Sequence, residues 1–363
     1  MRFIVIATLI LALASIGIAF LVQGGFTRKR RQQKGFWRRF WLRQVLLVPV
    51  YVFVLLPGLV GCAGSRLVRT RGDEASYPGP ILRDGRWILQ DRQTLKQAPP
   101  PGTVQPPIEI PNPGGPTLRA YFVPSRTVSP RASVVLVHGL FRSAMEVEPI
   151  AEVFRELGCE VLLLNLRNHG GSEARPFTYG LHEKTDLLAA VEYLRTRPGG
   201  LSAPLIVYGV SMGAVIAARA APEIPELVGL VLDAPMTNLV DTTFRQLGSS
   251  EWQGQRGFGI PAFYISLVLF YMELASGFDI ADIRPVDQIA ELSGDVHSLF
   301  IGAGLDLRVP PPVVRAAFEA HRAPTTHKTL WIEPDATHGR VWQRRPSEYR
   351  GHLAAFLDRA TRR

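Results

Sequence analysis

The chain is 363 residues long, with 41 Lys/Arg against 31 Asp/Glu, a net charge of +10 and two cysteines. Two cysteines exclude a disulfide framework, and the basic excess is lopsided: residues 1–71 hold twelve Lys/Arg and no acid, so the rest carries −2. A body so close to neutral lacks the basic face that nucleic-acid binding requires, and no nucleic-acid partner is expected.

Taken in chain order, residues 3–22 form an uncharged apolar stretch long enough to cross a bilayer as a helix. Arg28, Lys29, Arg30, Arg31, Lys34, Arg38, Arg39 and Arg43 come next with no acid among them, and a second apolar run begins at Val45 and ends at Val60. Positive loops stay cytoplasmic, so the basic segment 23–44 is expected inside and everything after residue 61 outside, with Trp37, Trp41 and Tyr51 as interfacial anchors. The second run ends in Leu59-Val60-Gly61-Cys62, which resembles the lipobox of a bacterial lipoprotein signal peptide, with Phe36 to Gln44 as its basic n-region. The resemblance implies a lipidated Cys62 as the mature N-terminus. An ordinary signal peptide has no apolar stretch upstream, and no methionine lies between Met1 and Met145 to supply a later start. Two readings of the anchor region 1–62 therefore stay open, a lipidated Cys62 or a retained hairpin of two spans, 3–22 and 45–61. Both hold the remainder of the chain on a membrane, outside the cytoplasm.

Residues 63–103 read as a tether, because Pro99-Pro100-Pro101 and their neighbours favour an extended, semi-rigid spacer. Residues 104–363 suit one large domain, opening with antiparallel strands from Ile108, of which Leu118 to Val123 is the clearer. Val134 to Val137 is a strand that runs into His138-Gly139-Leu140. Cys159 begins another buried strand and is read as a small core residue.

The run Leu205-Ile206-Val207-Tyr208 leads into Gly209-Val210-Ser211-Met212-Gly213 and then into the helix-forming Ala214 to Ala220. That is strand, Gly-x-Ser-x-Gly, helix. A serine on so sharp a turn has its hydroxyl pushed out, and the helix behind it aims free N–H groups at the same point. A nucleophilic serine needs a base and an orienting acid, in the chain order Ser, Asp, His. Asp306 sits past the strand Ser298 to Ile301, in a loop with the pattern Asp-x-x-Val-Pro, and His338 sits past the strand Thr329 to Ile332. Asp233, beyond the strand Val228 to Leu232, is the alternative acid. Between these two acids, residues 240–283 interrupt the strand pattern as a cap insertion, and their apolar stretch 260–272 is too short for a good third span. It reads as a buried cap helix or as an acyl-chain groove facing the membrane.

With these residues in place, the chain resembles the α/β-hydrolases over residues 104–363, in particular the esterase, monoacylglycerol-lipase and serine-aminopeptidase-like branch. Leu166-Arg167-Asn168-His169-Gly170-Gly171-Ser172 matches a stretch where that branch often shows Arg-Gly-His-Gly-x-Ser, and residues 178–194 resemble the helix before its nucleophile strand. Asn168 stands for the usual glycine and tolerates a left-handed backbone; Ala303-Gly304 stand where relatives often have His-Gly. The resemblance implies an α/β fold, mostly parallel sheet with helices on both faces, and an oxyanion hole from the backbone N–H groups of Leu140 and Met212. His138, His169 and His182 are read as turn-building groups. No zinc spacing, dinucleotide fingerprint or P-loop is present, so no metal or cofactor is implied. The expected function is that of a membrane-anchored extracytoplasmic serine hydrolase acting on a small-molecule carboxylic ester, with hydrophobic or lipid-like esters favoured. The alternatives are a peptidase or acyltransferase with the same triad, or a non-catalytic anchored scaffold.

Overall fold

The computed structural model describes residues 38, 41–42, 50, 54–67, 80–83, 86–89, 107–201, 203–248, 251–252, 255–256 and 259–362. The apolar run 3–22, most of the basic segment and most of the proposed tether lie outside the described residues. The elements begin with helix α1 (Leu56–Leu67) and strands β1 (Pro80–Arg83), β2 (Arg86–Leu89), β3 (Ile108–Ile110), β4 (Leu118–Val123) and β5 (Ser133–Val137). Then come α2 (Glu148–Glu156), β6 (Glu160–Leu164), α3 (Glu183–Thr196), β7 (Leu205–Val210), α4 (Met212–Ala220), β8 (Leu227–Asp233) and α5 (Leu239–Gly248). The last third holds β9 (Glu251–Trp252), β10 (Gln255–Arg256), α6 (Ala262–Ser276), α7 (Pro285–Glu291), β11 (His297–Ala303), α8 (Pro311–Ala320), β12 (Lys328–Glu333), α9 (Val341–Arg344) and α10 (Pro346–Ala360). They fall into two compact units, Met1–Leu67 with Thr243–Ile280, and Val68–Thr242 with Ala281–Arg363.

The larger unit is built on an eight-stranded sheet in the order β12-β11-β8-β7-β5-β6-β4-β3. The six strands from β12 to β6 run parallel, and β4 and β3 add on antiparallel at one edge. The composition explains the choice: β5, β6 and β7 read Ser-Val-Val-Leu-Val, Glu-Val-Leu-Leu-Leu and Leu-Ile-Val-Tyr-Gly-Val, and every residue in them is buried. Strands apolar on both faces need cover on both faces, which only crossover helices supply. On one side Val134, Leu136, Val161, Leu163, Ile206 and Tyr208 join Ile150 and Phe154 of α2 and Leu353, Phe356 and Leu357 of α10 in one core cluster. Cys159 is buried in that cluster. The parallel strands all end at the same edge, where β5, β7, β8, β11 and β12 each open into a loop.

In the smaller unit α1 packs on α6. Pro57 and Gly61 form the buried side of α1, and a Cβ on Gly61 would sit 2.7 Å from Tyr271 Cβ and 2.8 Å from the Val268 carbonyl oxygen. Only glycine permits so close an approach of two helix backbones. The helix α6 ends at Gly277, at φ 80, whose N–H returns to Glu273 O. The expectation of a buried helix across 260–272 is not met: only Ile265 and Leu269 of α6 are fully buried, while Phe263, Phe270 and Leu274 are exposed. A helix apolar on every side carries no periodicity from which its outer face can be read. No single helix among the described residues is long and apolar enough to cross a membrane.

Candidate active site

Ser211 joins β7 to α4 with φ 54 and ψ −112, a conformation that residues with a Cβ rarely adopt. The two flanking glycines make the turn possible. A Cβ on Gly209 would lie 2.2 Å from Gly213 O, and one on Gly213 would lie 2.2 Å from Val137 O. The serine is pinned from below, its N–H donating to Asp233 O at 2.8 Å. Its hydroxyl is the one free to reach outward, and His338 meets it.

Ser211 Oγ lies 2.8 Å from His338 Nε2, and His338 Nδ1 lies 2.6 Å from Asp306 Oδ2. The remaining oxygen of Asp306, Oδ1, accepts the backbone N–H groups of Arg308 at 2.8 Å and Val309 at 3.0 Å. A carboxylate on Nδ1 fixes the proton there and leaves Nε2 as the acceptor for the serine O–H, an assignment made from the partners. The two loops are laced together, Gly304 N–H donating to Glu333 O at 2.7 Å and Leu305 N–H to Ala336 O at 2.9 Å. The spacing of acid and base is thus set by backbone and does not depend on side-chain rotamers alone.

Asp233 is excluded from that relay by its surroundings. Its Oδ2 accepts the Tyr349 hydroxyl at 2.8 Å, the Tyr208 hydroxyl is 3.4 Å away, and Oδ1 has no hydrogen-bond partner. Burial pushes this carboxyl up to about 6.

The turn after β5 faces the serine turn across the sheet edge. Among the described residues no protein acceptor takes the N–H of Leu140 or of Met212. His138 Nδ1–H donates to Gly139 O at 2.7 Å and its Nε2 accepts Leu166 N–H at 3.2 Å. His169 does the same for the neighbouring turn, Nδ1–H to Arg167 O at 2.8 Å and Nε2 from Phe141 N–H at 3.2 Å. Both rings need one protonated and one bare nitrogen. Burial, the largest cause, lowers His138 to about 3 and also lowers His169, which keeps them neutral. His182 stands outside the relay; its carbonyl accepts from Arg167, whose guanidinium is clasped by Asp186. Asn168 takes the left-handed backbone that its side chain tolerates, at φ 63.

Sequence reasoning passed over Glu146. It ends a short turn, Ala144–Glu146, capped by the Ser143 hydroxyl, and its Oε2 accepts the Gly139 N–H at 2.6 Å. The signal was present as Ser143-x-x-Glu146, the pattern of a capping box. Here the acid reaches past its own turn to the residue beside a candidate oxyanion donor.

The chain is similar to known proteins in sequence and in fold. Residues 128–255 match the family described as serine aminopeptidase, S33. The chain is 25% identical over 235 residues to the uncharacterized protein YqkD of Bacillus subtilis, covering 62% of this chain and 71% of that one. It is 26% identical over 200 residues to the α/β-hydrolase domain-containing protein WAV2 of Arabidopsis thaliana, covering 55% of this chain and 60% of that protein's length. Among solved structures, an esterase of Pyrococcus furiosus, Pf2001, is similar with a TM-score of 0.58 and 25% identity, over 70% of this chain and 91% of that one.

Proposed function

We propose that this chain, an α/β-hydrolase, is a membrane-anchored serine hydrolase that cleaves carboxylic esters through an acyl-enzyme. The observation that carries the proposal is the unbroken relay from Asp306 through His338 to a strained Ser211. In this reading Ser211 Oγ attacks the acyl carbon and its proton passes to His338 Nε2. The oxyanion is received by the Leu140 and Met212 N–H groups, each worth about 3 kcal/mol of barrier. His338 returns the proton to the departing alcohol, and a water repeats the cycle on the acyl-enzyme. Leu305 and Leu307, on either side of Asp306, are 57% and 48% exposed. An apolar lip beside the acid supports a hydrophobic acyl group as substrate.

The membrane part rests on the two apolar runs, the basic segment between them, and the outward apolar side chains of the smaller unit. Val54, Leu55 and Leu59 beside or on α1, and Phe263, Phe270 and Leu274 on α6, are exposed. Helix α1 also runs unbroken through Gly61 and Cys62. Cleavage before Cys62 would strip Gly58 and Gly61 from the contact with Tyr271, so this reading favours two retained spans over lipidation. It places the larger unit outside the cytoplasm.

The match to serine aminopeptidases favours peptide-bond cleavage as a second reading. A panel of p-nitrophenyl esters of rising chain length, run beside aminoacyl anilides and a fluorophosphonate probe, separates the two. Ester turnover with preference for longer chains is expected; turnover of anilides alone would transfer the activity to peptides. A reporter fused after residue 70 should read as extracytoplasmic, and a cytoplasmic signal would refute the topology.

A further inference from the structure

We infer that Glu146 is a positioning residue for the oxyanion turn: its carboxylate holds the Gly139 N–H and thereby aims the Leu140 N–H at the reacting carbonyl. This rests on the serine-hydrolase reading above.

Gly139 C=O and Leu140 N–H belong to one planar trans peptide, so they point in opposite directions. His138 holds that carbonyl at 2.7 Å, while Glu146 Oε2 holds the N–H on the other side of the Gly139 Cα at 2.6 Å. Glycine has the widest backbone freedom of any residue. Fixing both of its peptide planes removes the rotations that would swing the Leu140 N–H away from the serine. A third tie, Phe141 N–H to His169, closes the turn at φ 55.

The turn that carries Glu146 does not require the acid for its own fold, since Ser143 Oγ already accepts the Met145 N–H at 3.3 Å. The acid is nonetheless kept where burial raises its pKa, opposed by the Gly139 N–H and by the charge of Arg142. Arg142 Nε, at 3.7 Å from Oε1, offsets part of that burial. A carboxylate placed at such a cost against a glycine N–H, one residue before a free donor, is accounted for by the donor's aim.

The test uses the full chain in detergent micelles, with kcat expressed per phosphonate-titrated serine so that misfolded molecules drop out. Glu146→Ala should lower kcat about ten- to a hundredfold with KM within about twofold, less than deletion of a whole oxyanion donor costs. Glu146→Gln keeps an amide oxygen to accept the Gly139 N–H and should stay within about fivefold of the parent. An Ala variant with parental kcat per titrated serine overturns the assignment. So does a Gln variant as damaged as the Ala one, because N–H acceptance would then not be what matters. A parent chain inert to esters, anilides and phosphonate would overturn the hydrolase reading and this assignment with it, whereas an active parent with an unaffected Ala variant overturns this assignment alone.

Discussion

The two units of this chain treat apolar side chains in opposite ways. In the larger one every residue of β5, β6 and β7 is buried. In the smaller one, two packed helices leave Leu59, Phe263, Phe270 and Leu274 exposed. Of the twelve large hydrophobic side chains exposed among the described residues, nine belong to the smaller unit and three, Val128, Leu305 and Leu307, to the larger. The larger unit folds as a body in water does, by hiding apolar surface. The smaller one uses close backbone approach at Gly61 for its contact and leaves Leu59, Phe263, Phe270 and Leu274 exposed, which is what the proposed membrane anchor would require. Chemistry and anchoring are therefore expected to respond to different substitutions.

The largest separation should come from Ser211→Ala. It should cut ester turnover on the order of 10⁶-fold, and Asp306→Asn on the order of 10⁴-fold, as deletions within other serine triads do. Neither should release the protein from membranes. If Ser211→Ala is still labelled by the phosphonate, the nucleophile has been misassigned; if it detaches the protein from membranes, the division of labour between the units fails. Ser211→Gly sharpens the point, since glycine relieves the φ of 54. That variant should be inactive yet more heat-stable than the parent.

Ser211, Asp306 and His338 were legible in the sequence because each follows an apolar strand, and parallel strands deliver their loops to one edge. Asp233 follows a strand in the same way, so position could not rank the two acids. The Asp-x-x-Val-Pro pattern of its loop put Asp306 first, and the physical reason against Asp233 lies in Tyr208 and Tyr349, 25 and 116 residues away in sequence, which occupy its side chain. Glu146 was hidden for a different reason. Its partner is a backbone N–H seven residues earlier, whereas the capping-box pattern Ser143-x-x-Glu146 points only to a donor within its own turn. The outer face of α6 was unreadable because a uniformly apolar helix has no polar stripe to orient it.

A smaller effect tests the dry interior of the larger unit. Burial raises Asp233 from 3.8 to about 6, so the folded chain keeps this proton longer than the unfolded one. The stability tied to it is fully present below pH 3.8 and is lost as pH rises through about 6. Asparagine is neutral throughout. Asp233→Asn should therefore gain on the parent between pH 4 and pH 7, by at most about 3 kcal/mol, while its ester turnover falls less than about tenfold. Paired urea unfolding curves at the two pH values read this directly, and other buried acids such as Glu183 cancel between the two proteins. A constant gap would mean that Asp233 is not raised, and a rate loss like that of Asp306→Asn would return it to the relay.

In the smaller unit, Gly61→Leu should force α1 off α6, because even a Cβ would lie 2.8 Å from the Val268 carbonyl oxygen, a backbone atom with little room to yield. Overpacking of this kind costs about 1–3 kcal/mol. The expected result is a lower unfolding temperature for the detergent-solubilised protein, with turnover of a short, soluble ester unchanged within about twofold. Gly58→Ala is the mild control, since its Cβ would meet the Tyr271 ring at 3.7 Å, an ordinary contact. Equal destabilisation by both would mean that helix propensity and not close approach is being measured.

The smallest effect is also the most discriminating for the anchor. Cys62 is exposed, whereas Pro57 and Gly61 form the buried side of α1, so Cys62→Ala should leave the packing of those two residues in place. A chain that keeps both spans should be indifferent: same intact mass less one sulfur, same N-terminal peptide, same retention in washed membranes, and no acyl label to lose. A lipoprotein would behave otherwise, because the cysteine is where it is cut and acylated. Loss of a fatty-acyl label, or of a processed N-terminus at residue 62, would show that α1 is severed in the mature protein. The outward apolar face of α6 would then have to be explained without its partner helix.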